Sequence, residues 1–325
     1  MNTSLTVRLM LVATLICAPA VADAQVYPSR PVKIVVPTSP GGTTDILARS
    51  IGQRLGEGWR QPVVVENRPG ANEIIGAQSV AKAPADGYTL IVSDSAAFVI
   101  NPHLYSTLPY DSIRDFAPVT ALTRPSPVLV ASKTVSANNV QELIARAKAS
   151  PGTLSYGSFG NGSYAHISME HLKKLAGIDL VHVPFKGSSP ATTALLAGEI
   201  SLMLVNLGNV DAHVKSGKLK LLAAGTGKRL ALLPDLPTIS ESGVPGFEAS
   251  SWFGMLAPAN TPKEVIAKIN ADTVKILASQ EFREQYVNRQ GLETVGNSPE
   301  QFAALIKADL ERWAGLVRAS GARID

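Results

Sequence analysis

Pro37-Thr38-Ser39-Pro40-Gly41-Gly42-Thr43-Thr44-Asp45 is the stretch on which the fold turns. An apolar run, Val32-Lys33-Ile34-Val35-Val36, precedes it. A run with apolar residues at helical spacing, Ile46, Leu47, Ile51 and Leu55, follows it. Strand, glycine-containing turn and helix start, in that order, make a seat for an anion. The first N–H groups of a helix have no internal partner, and the macrodipole places partial positive charge on them. Adjacent glycines let a ligand approach the backbone closely. Thr43, Thr44 and Asp45 each suit the helix cap. Turn geometry alone also favours Pro, Gly and Thr, so a purely structural reading stays open.

Working outward, Val63-Val64-Val65 reads as a second strand, Glu66 to Ala71 as a turn, and about Glu73 to Ala83 as a helix. Asp86-Gly87 is a turn before a third strand, Tyr88 to Val92. This βαβαβ alternation predicts a largely parallel sheet covered by helices, with ligands beyond the carboxyl ends of its strands. Leu108 to Arg124, rich in Pro, Asp and Arg, reads as a connection, and Pro125-Ser126-Pro127 as the crossover to a second domain. A new series starts there: strand Val128–Val130, helix Val140–Ala149, short strand Leu154–Tyr156. Gly157-Ser158-Phe159-Gly160-Asn161-Gly162-Ser163-Tyr164-Ala165-His166 then repeats the logic of the first turn and leads into a helix to about Leu175. The two seats are expected to face each other across a cleft.

The strand Val181-His182-Val183 ends at a third loop, Pro184 to Pro190, where Lys186 is either a cation beside a helix start or a solvated lysine. A helix (Ala191–Ala197) and strands at Ile200–Val205 and Leu219–Ala224 complete the second series. Ser251 to Ala257 returns to the first domain, and three helices finish the chain. The last carries an apolar stripe of Phe302, Leu305, Ile306, Leu310, Trp313, Leu316 and Val317, interrupted by Asp309, for which Arg312 is the expected ion-pair partner. The predicted domains are 25–124 with 251–325, and 125–250.

The 325 residues suffice for two cores. Residues 1–24 read as a signal peptide: Arg8, the apolar run Leu9–Ala20, and Ala22-Asp23-Ala24 as the cleavage site. The apolar run is too short to span a bilayer. The single cysteine, Cys17, lies within it, so the mature chain from Gln25 has no thiol for disulfides, catalysis or metal binding. The net charge of +4 is dispersed, with no basic run that would track nucleic acid. Among the five histidines, His166 and His171 are spaced wrongly for two ligands on one helix face, and no H-E-x-x-H is present, so no metal is expected. The chain lacks a G-x-S-x-G elbow, a P-loop and a strand-coupled G-x-G-x-x-G. No catalytic role and no cofactor are expected.

An exported, two-domain α/β chain with facing anion seats suggests a solute-binding protein that closes on its ligand. The segments Tyr27-Pro28-Ser29-Arg30-Pro31, Pro40 to Asp45, Val65 to Ala71, Asp86 to Leu90, Leu108-Pro109-Tyr110-Asp111, Gly160 to Ser163 with His166, His182 to Gly187, Leu233 to Thr238 and Trp252-Phe253-Gly254 resemble, in order, the Bug-type (TctC-like) receptors of tripartite tricarboxylate transporters. The resemblance implies a Venus-flytrap fold, a periplasmic location and a carboxylated ligand delivered to membrane transporter subunits, with the receptor expected as a monomer. It assigns ligand contacts to Ser39, Gly41, Gly42, Thr43 and Asp45, and to Ser158, Gly160, Asn161, Gly162, Ser163 and His166. Asp45 as a helix cap and His166 as a packed helix residue are the alternatives. Thr38, Glu73 and Val205 depart from the family pattern, which puts the family's usual ligands in question without pointing to one replacement, a larger or aromatic carboxylate being one hypothesis; Glu73 is expected at a loop edge. A ligand-presenting sensor, or an exported hydrolase using His166, are the competing functions.

Overall fold

The structure, a computed structural model, describes residues 27–322. The signal-peptide reading therefore lies outside the described residues. The first unit runs β1 (Val32–Val36), α1 (Thr43–Trp59), β2 (Val63–Asn67), α2 (Ile74–Ala81) and β3 (Thr89–Asp94). A π-helical turn (Ala96–Ile100), α3 (Asn101–Leu104) and β4 (Phe116–Pro125) follow. The second unit runs β5 (Pro127–Ser132), α4 (Val140–Ala149), β6 (Ser155–Ser158), α5 (Tyr164–Ala176), β7 (Val181–Pro184), α6 (Ser188–Ala197) and β8 (Leu202–Asn206). A 3-10 turn (Leu207–Asn209), α7 (Asp211–Lys215) and β9 (Leu219–Ala224) complete it. The chain then returns through β10 (Phe253–Pro258), α8 (Lys263–Ala278), α9 (Gln280–Phe282), β11 (Leu292–Thr294) and α10 (Pro299–Ser320).

Two sheets result. One has the order β11-β4-β10-β3-β1-β2, the other β7-β6-β8-β5-β9. Strands β1, β2 and β3 are parallel, as are β6, β7 and β8. Their carboxyl ends therefore gather the turn after β1 at one edge and the turns after β6 and β7 at another. Both faces of the first sheet are covered, which explains why β1 is apolar at every position except Lys33, which pairs with Glu66 of β2. Ile34 and Val36 pack with Leu47, Ile51 and Leu55 of α1, whereas Val35 points the other way, toward Phe98, Trp252, Phe302 and Trp313.

The sequence reading of residues 108–124 as a connection is corrected: β4 is an inner strand of the first sheet, between β11 and β10. Thr120, Ala121, Leu122 and Thr123 are wholly buried. Pro118 removes a ladder donor, and the β4–β10 register shifts beside its partner Leu256, which accommodates it. The short strand β11 also went unread. Asp309 does pair with Arg312 at 3.1 Å, and it additionally accepts the indole N–H of the buried Trp252 at 3.0 Å. That second bond ties α10 to the segment that brings the chain back into the first unit.

Besides the crossover strands, the units touch through α5 and through the turn after β8. Tyr164 of α5 meets the Trp313 ring of α10 with centroids 6.1 Å apart. The 3-10 turn after β8 lies against residues 288–291, where Asn206 Nδ2 donates to the Gln290 carbonyl and Gly208 abuts the Gln290 backbone.

Candidate ligand cleft

A cavity of about 340 Å³ lies between the units. Gly41, Gly42 and Thr43 line it from the first turn, and Ser188, Ser189, Thr192 and Thr193 line it from α6. Asn209, His213 and Gln290 complete the polar wall. A wider hollow of about 630 Å³ over Tyr105, Pro109, Tyr110 and Leu310 includes no residue of either anion turn.

The two helices that open on the cavity share a feature. The N-cap of α1 is Gly42 and that of α6 is Gly187, and neither carries a side-chain cap. Glycine leaves the first-turn N–H groups without a side-chain acceptor, so these donors remain available to a ligand. The expectation that Thr43, Thr44 or Asp45 caps α1 is thereby corrected. By contrast, α5 is capped by Ser163, whose side chain accepts from the His166 amide.

Asp45 braces the first turn from beneath. Its carboxylate accepts from the Gly41 amide (2.9 Å), Arg49 Nε (3.0 Å) and Asn67 Nδ2 (2.9 Å). Burial opposes its ionisation, but the bonds from Arg49, Gly41 and Asn67 prevail and hold the carboxyl below its usual range. Asn67 also donates to the Thr38 carbonyl. Ser39 is exposed beside the turn.

The second turn is organised by Ser158 together with His182, which the sequence reading did not assign to the site. Ser158, fully buried, exchanges hydrogen bonds with the Gly160 amide and carbonyl, and lies 2.7 Å from His182 Nε2 on the neighbouring strand. Ser163 Oγ donates to the same Gly160 carbonyl. The Gly162 amide donates to His166 Nδ1 at 3.0 Å, so that nitrogen is unprotonated. The His166 and His182 rings stack at 4.0 Å, and His182 stacks on Tyr156 at 4.9 Å. Burial lowers both histidines, and the adjacent His166 ring helps push His182 down to about 4. Asn161 is exposed at the tip of the turn. The Ser158–His182 distance is that of a nucleophile–base pair, yet the buried hydroxyl is engaged with Gly160 and serves the turn.

Two of the departures noted in the sequence are resolved. Val205 is fully buried among Val128, Met203 and Leu207 and does not face the cleft. Glu73 is not at an exposed loop edge: it is buried and receives a hydrogen bond from Ser93. The α6 start was read as a loop feature but not as part of the site. Its signal was available in Gly187-Ser188-Ser189, small residues directly after a parallel strand.

The family described as "Tripartite tricarboxylate transporter family receptor" matches residues 47–322. The chain belongs to this TctC receptor family. It is 37% identical over 310 residues to BugT of Bordetella pertussis, covering 95% of this chain and 94% of that protein. Among solved structures, a Rhodopseudomonas palustris protein with adipate superposes with a TM-score of 0.85 at 37% identity, covering 92% of this chain and 100% of that one. MatC from Rhodopseudomonas palustris, with bound malate, gives 0.80 at 32%, covering 90% and 100%. BugD, a periplasmic binding protein, gives 0.81 at 35%, covering 91% and 99%. The TctC-family chain thus has the periplasmic-binding-protein fold, two α/β units with a cleft between them, and is a solute-binding receptor.

Proposed function

We propose that this receptor captures a small organic dicarboxylate in the periplasm and delivers it to membrane transporter subunits. The observation that carries the reading is the convergence of two helix starts without side-chain caps, one from each unit, on a single cavity. The bound ligands of the adipate and malate relatives support it. Residues 25–124 with 251–325 form one lobe and 125–250 the other, hinged at Pro125-Ser126-Pro127 and near Ser250. One carboxylate meets the Ser39–Thr43 turn. The other meets the second lobe, at the α6 start or the Ser158–His166 turn. Micromolar binding needs about −8 kcal/mol. Helix termini at roughly 0.3–2 kcal/mol each leave most of that to charge-assisted hydrogen bonds at roughly 1.5–3 kcal/mol apiece and to the exclusion of water on closure.

Titration calorimetry of the chain from Gln25 against mono-, di-, tri- and aromatic carboxylates, adipate and malate included, tests this. Binding of one dicarboxylate class supports the reading. Protein refolded free of ligand that binds none of the panel overturns it.

A further inference from the structure

Glu73 and Asp94 stand at the carboxyl edge of the first sheet, next to the turn that begins at Pro37. Three consecutive residues without glycine, Ala71, Asn72 and Glu73, adopt left-handed backbone (φ 46°, 50° and 72°). Each such residue costs energy, and the surroundings must hold it in place. What holds Glu73 is its side chain. Its Oε2 accepts from Ser93 Oγ at 2.7 Å, and its carboxyl is the hydrogen-bonding neighbour of Asp94, which in turn accepts from the Ala96 amide at 2.7 Å.

Two carboxylates are both acceptors, so a hydrogen bond between them requires a proton. The groups acting on the pair are Ser93 and the Ala96 amide, with Tyr110 also sensing the Glu73 charge; none is a Lys, Arg or His. Burial raises both carboxyls, Glu73 more strongly because the Asp94 charge adds to it. Two like charges without a cation do not both ionise in such a place.

The pair connects to the cleft through α2. Glu73 is the N-cap residue of that helix. One turn on, Gly76 packs so tightly on Pro37 that a Cβ there would lie 2.6 Å from the proline Cβ. Pro37 opens the turn whose Gly41, Gly42 and Thr43 line the cavity. We propose that Glu73 and Asp94 share one proton at neutral pH, and that this proton positions the first anion turn by fixing the start of α2 against Pro37. Glu73 is then a positioning residue. Loss of the proton at alkaline pH puts two charges in contact, releases residues 71–73 and loosens the turn. The consequence for ligand binding rests on the cleft reading given above; the proton itself does not.

The test compares the wild-type chain with Glu73→Gln, which keeps the shape and carries a permanent donor toward Asp94. Infrared spectroscopy at neutral pH should show a protonated-carboxyl band that Glu73→Gln lacks. The pair's contribution to stability should fall with rising pH once an unfolded-chain glutamate is ionised, and above about pH 6.5, where the histidines no longer titrate, it should appear as a fall of about 2 °C in Tm per pH unit for one proton that Glu73→Gln lacks. At pH 9, hydrogen exchange in peptides spanning 37–45 should be faster in wild type than in Glu73→Gln. Absence of the infrared band, or identical pH profiles for the two proteins, overturns the shared proton. A band and a profile difference with unchanged exchange at 37–45 overturn the positioning role. If Glu73→Gln does not fold, Asp94→Asn takes its place in the melting and exchange arms, and the infrared band of the wild type alone decides the proton. None of these readouts needs a ligand, so failure of the dicarboxylate reading is seen separately in the titrations.

Discussion

His182 Nε2 lies 2.7 Å from Ser158 Oγ, joining two neighbouring parallel strands where the second turn begins. The same hydroxyl bonds both the amide and the carbonyl of Gly160, so one buried atom fixes the first half of the turn. Removing it leaves the Gly160 amide and the imidazole without this partner, while the Gly160 carbonyl keeps Ser163, and unmet buried polar groups cost roughly 1–3 kcal/mol. Ser158→Ala should therefore lower unfolding free energy by that amount in urea titrations. It should also weaken dicarboxylate binding several-fold. Unchanged stability would show that the hydroxyl does not organise the turn.

The stacked histidines give a pH signature of the opposite sign to the carboxyl pair. Burial, and for His182 the His166 ring, depress both in the fold, so the folded protein keeps them neutral. The unfolded chain takes up protons as pH falls through about 6.5. Stability is thus fully present above that value and is lost as pH falls toward about 4, where His182 titrates in the fold. His103 and His171, also lowered by burial, act in the same direction. Melting temperature should drop between pH 6.5 and pH 4. His182→Gln, which retains a donor toward Ser158, should flatten part of that drop. A flat wild-type profile over this range would contradict the neutral stack.

Much of the architecture was legible because the parallel strands are short apolar runs, each followed by a turn and a periodic helix. The stretch β1–turn–α1 reads almost residue for residue, since Ile34, Leu47 and Ile51 are all core. β4 was hidden by Pro118 and by polar residues at its ends, which composition assigns to a loop; its pairing with β10 is set by residues about 130 positions away in sequence. Likewise, His182 gave no local sign of its bond to Ser158, because strand register brings them together. Glu73 reads as a surface residue by type, and only the left-handed run at 71–73 turns it inward. The candidate site was half visible: the Gly41–Thr43 wall lines the cavity, whereas the α6 wall was noticed only as a loop.

The α6 wall can be tested by filling it. Thr193 is exposed on α6, lines the cavity, and its hydroxyl donates to the Ser189 carbonyl of its own helix at 3.2 Å. Thr193→Trp adds bulk to the cleft with little to disturb in the core. Dicarboxylate affinity should fall at least about tenfold, equivalent to about 1.4 kcal/mol, while Tm of the free protein stays within about 2 °C. Full affinity in this variant would place the ligand away from α6.

At Gly208 the backbone of the second unit lies close against that of the first. A methyl group on its Cα would collide with the carbonyl carbon and oxygen of Gln290, both backbone atoms that have no rotamer to change. Asn206 reinforces the approach by donating to the same carbonyl while its Oδ1 accepts from the Ser126 amide in the crossover. Gly208→Ala should force the two turns apart, at a cost of roughly 1–3 kcal/mol as for other overpacked sites. Asn209 and Gln290 line the cavity, so the same displacement should widen it and weaken ligand binding. Small-angle scattering of the free and loaded variant should show a larger radius of gyration than wild type in the loaded state. A variant that matches wild type in stability and in loaded-state dimensions would mean that this backbone contact opens and closes freely during hinge bending, and that the crossover strands alone set the angle between the lobes.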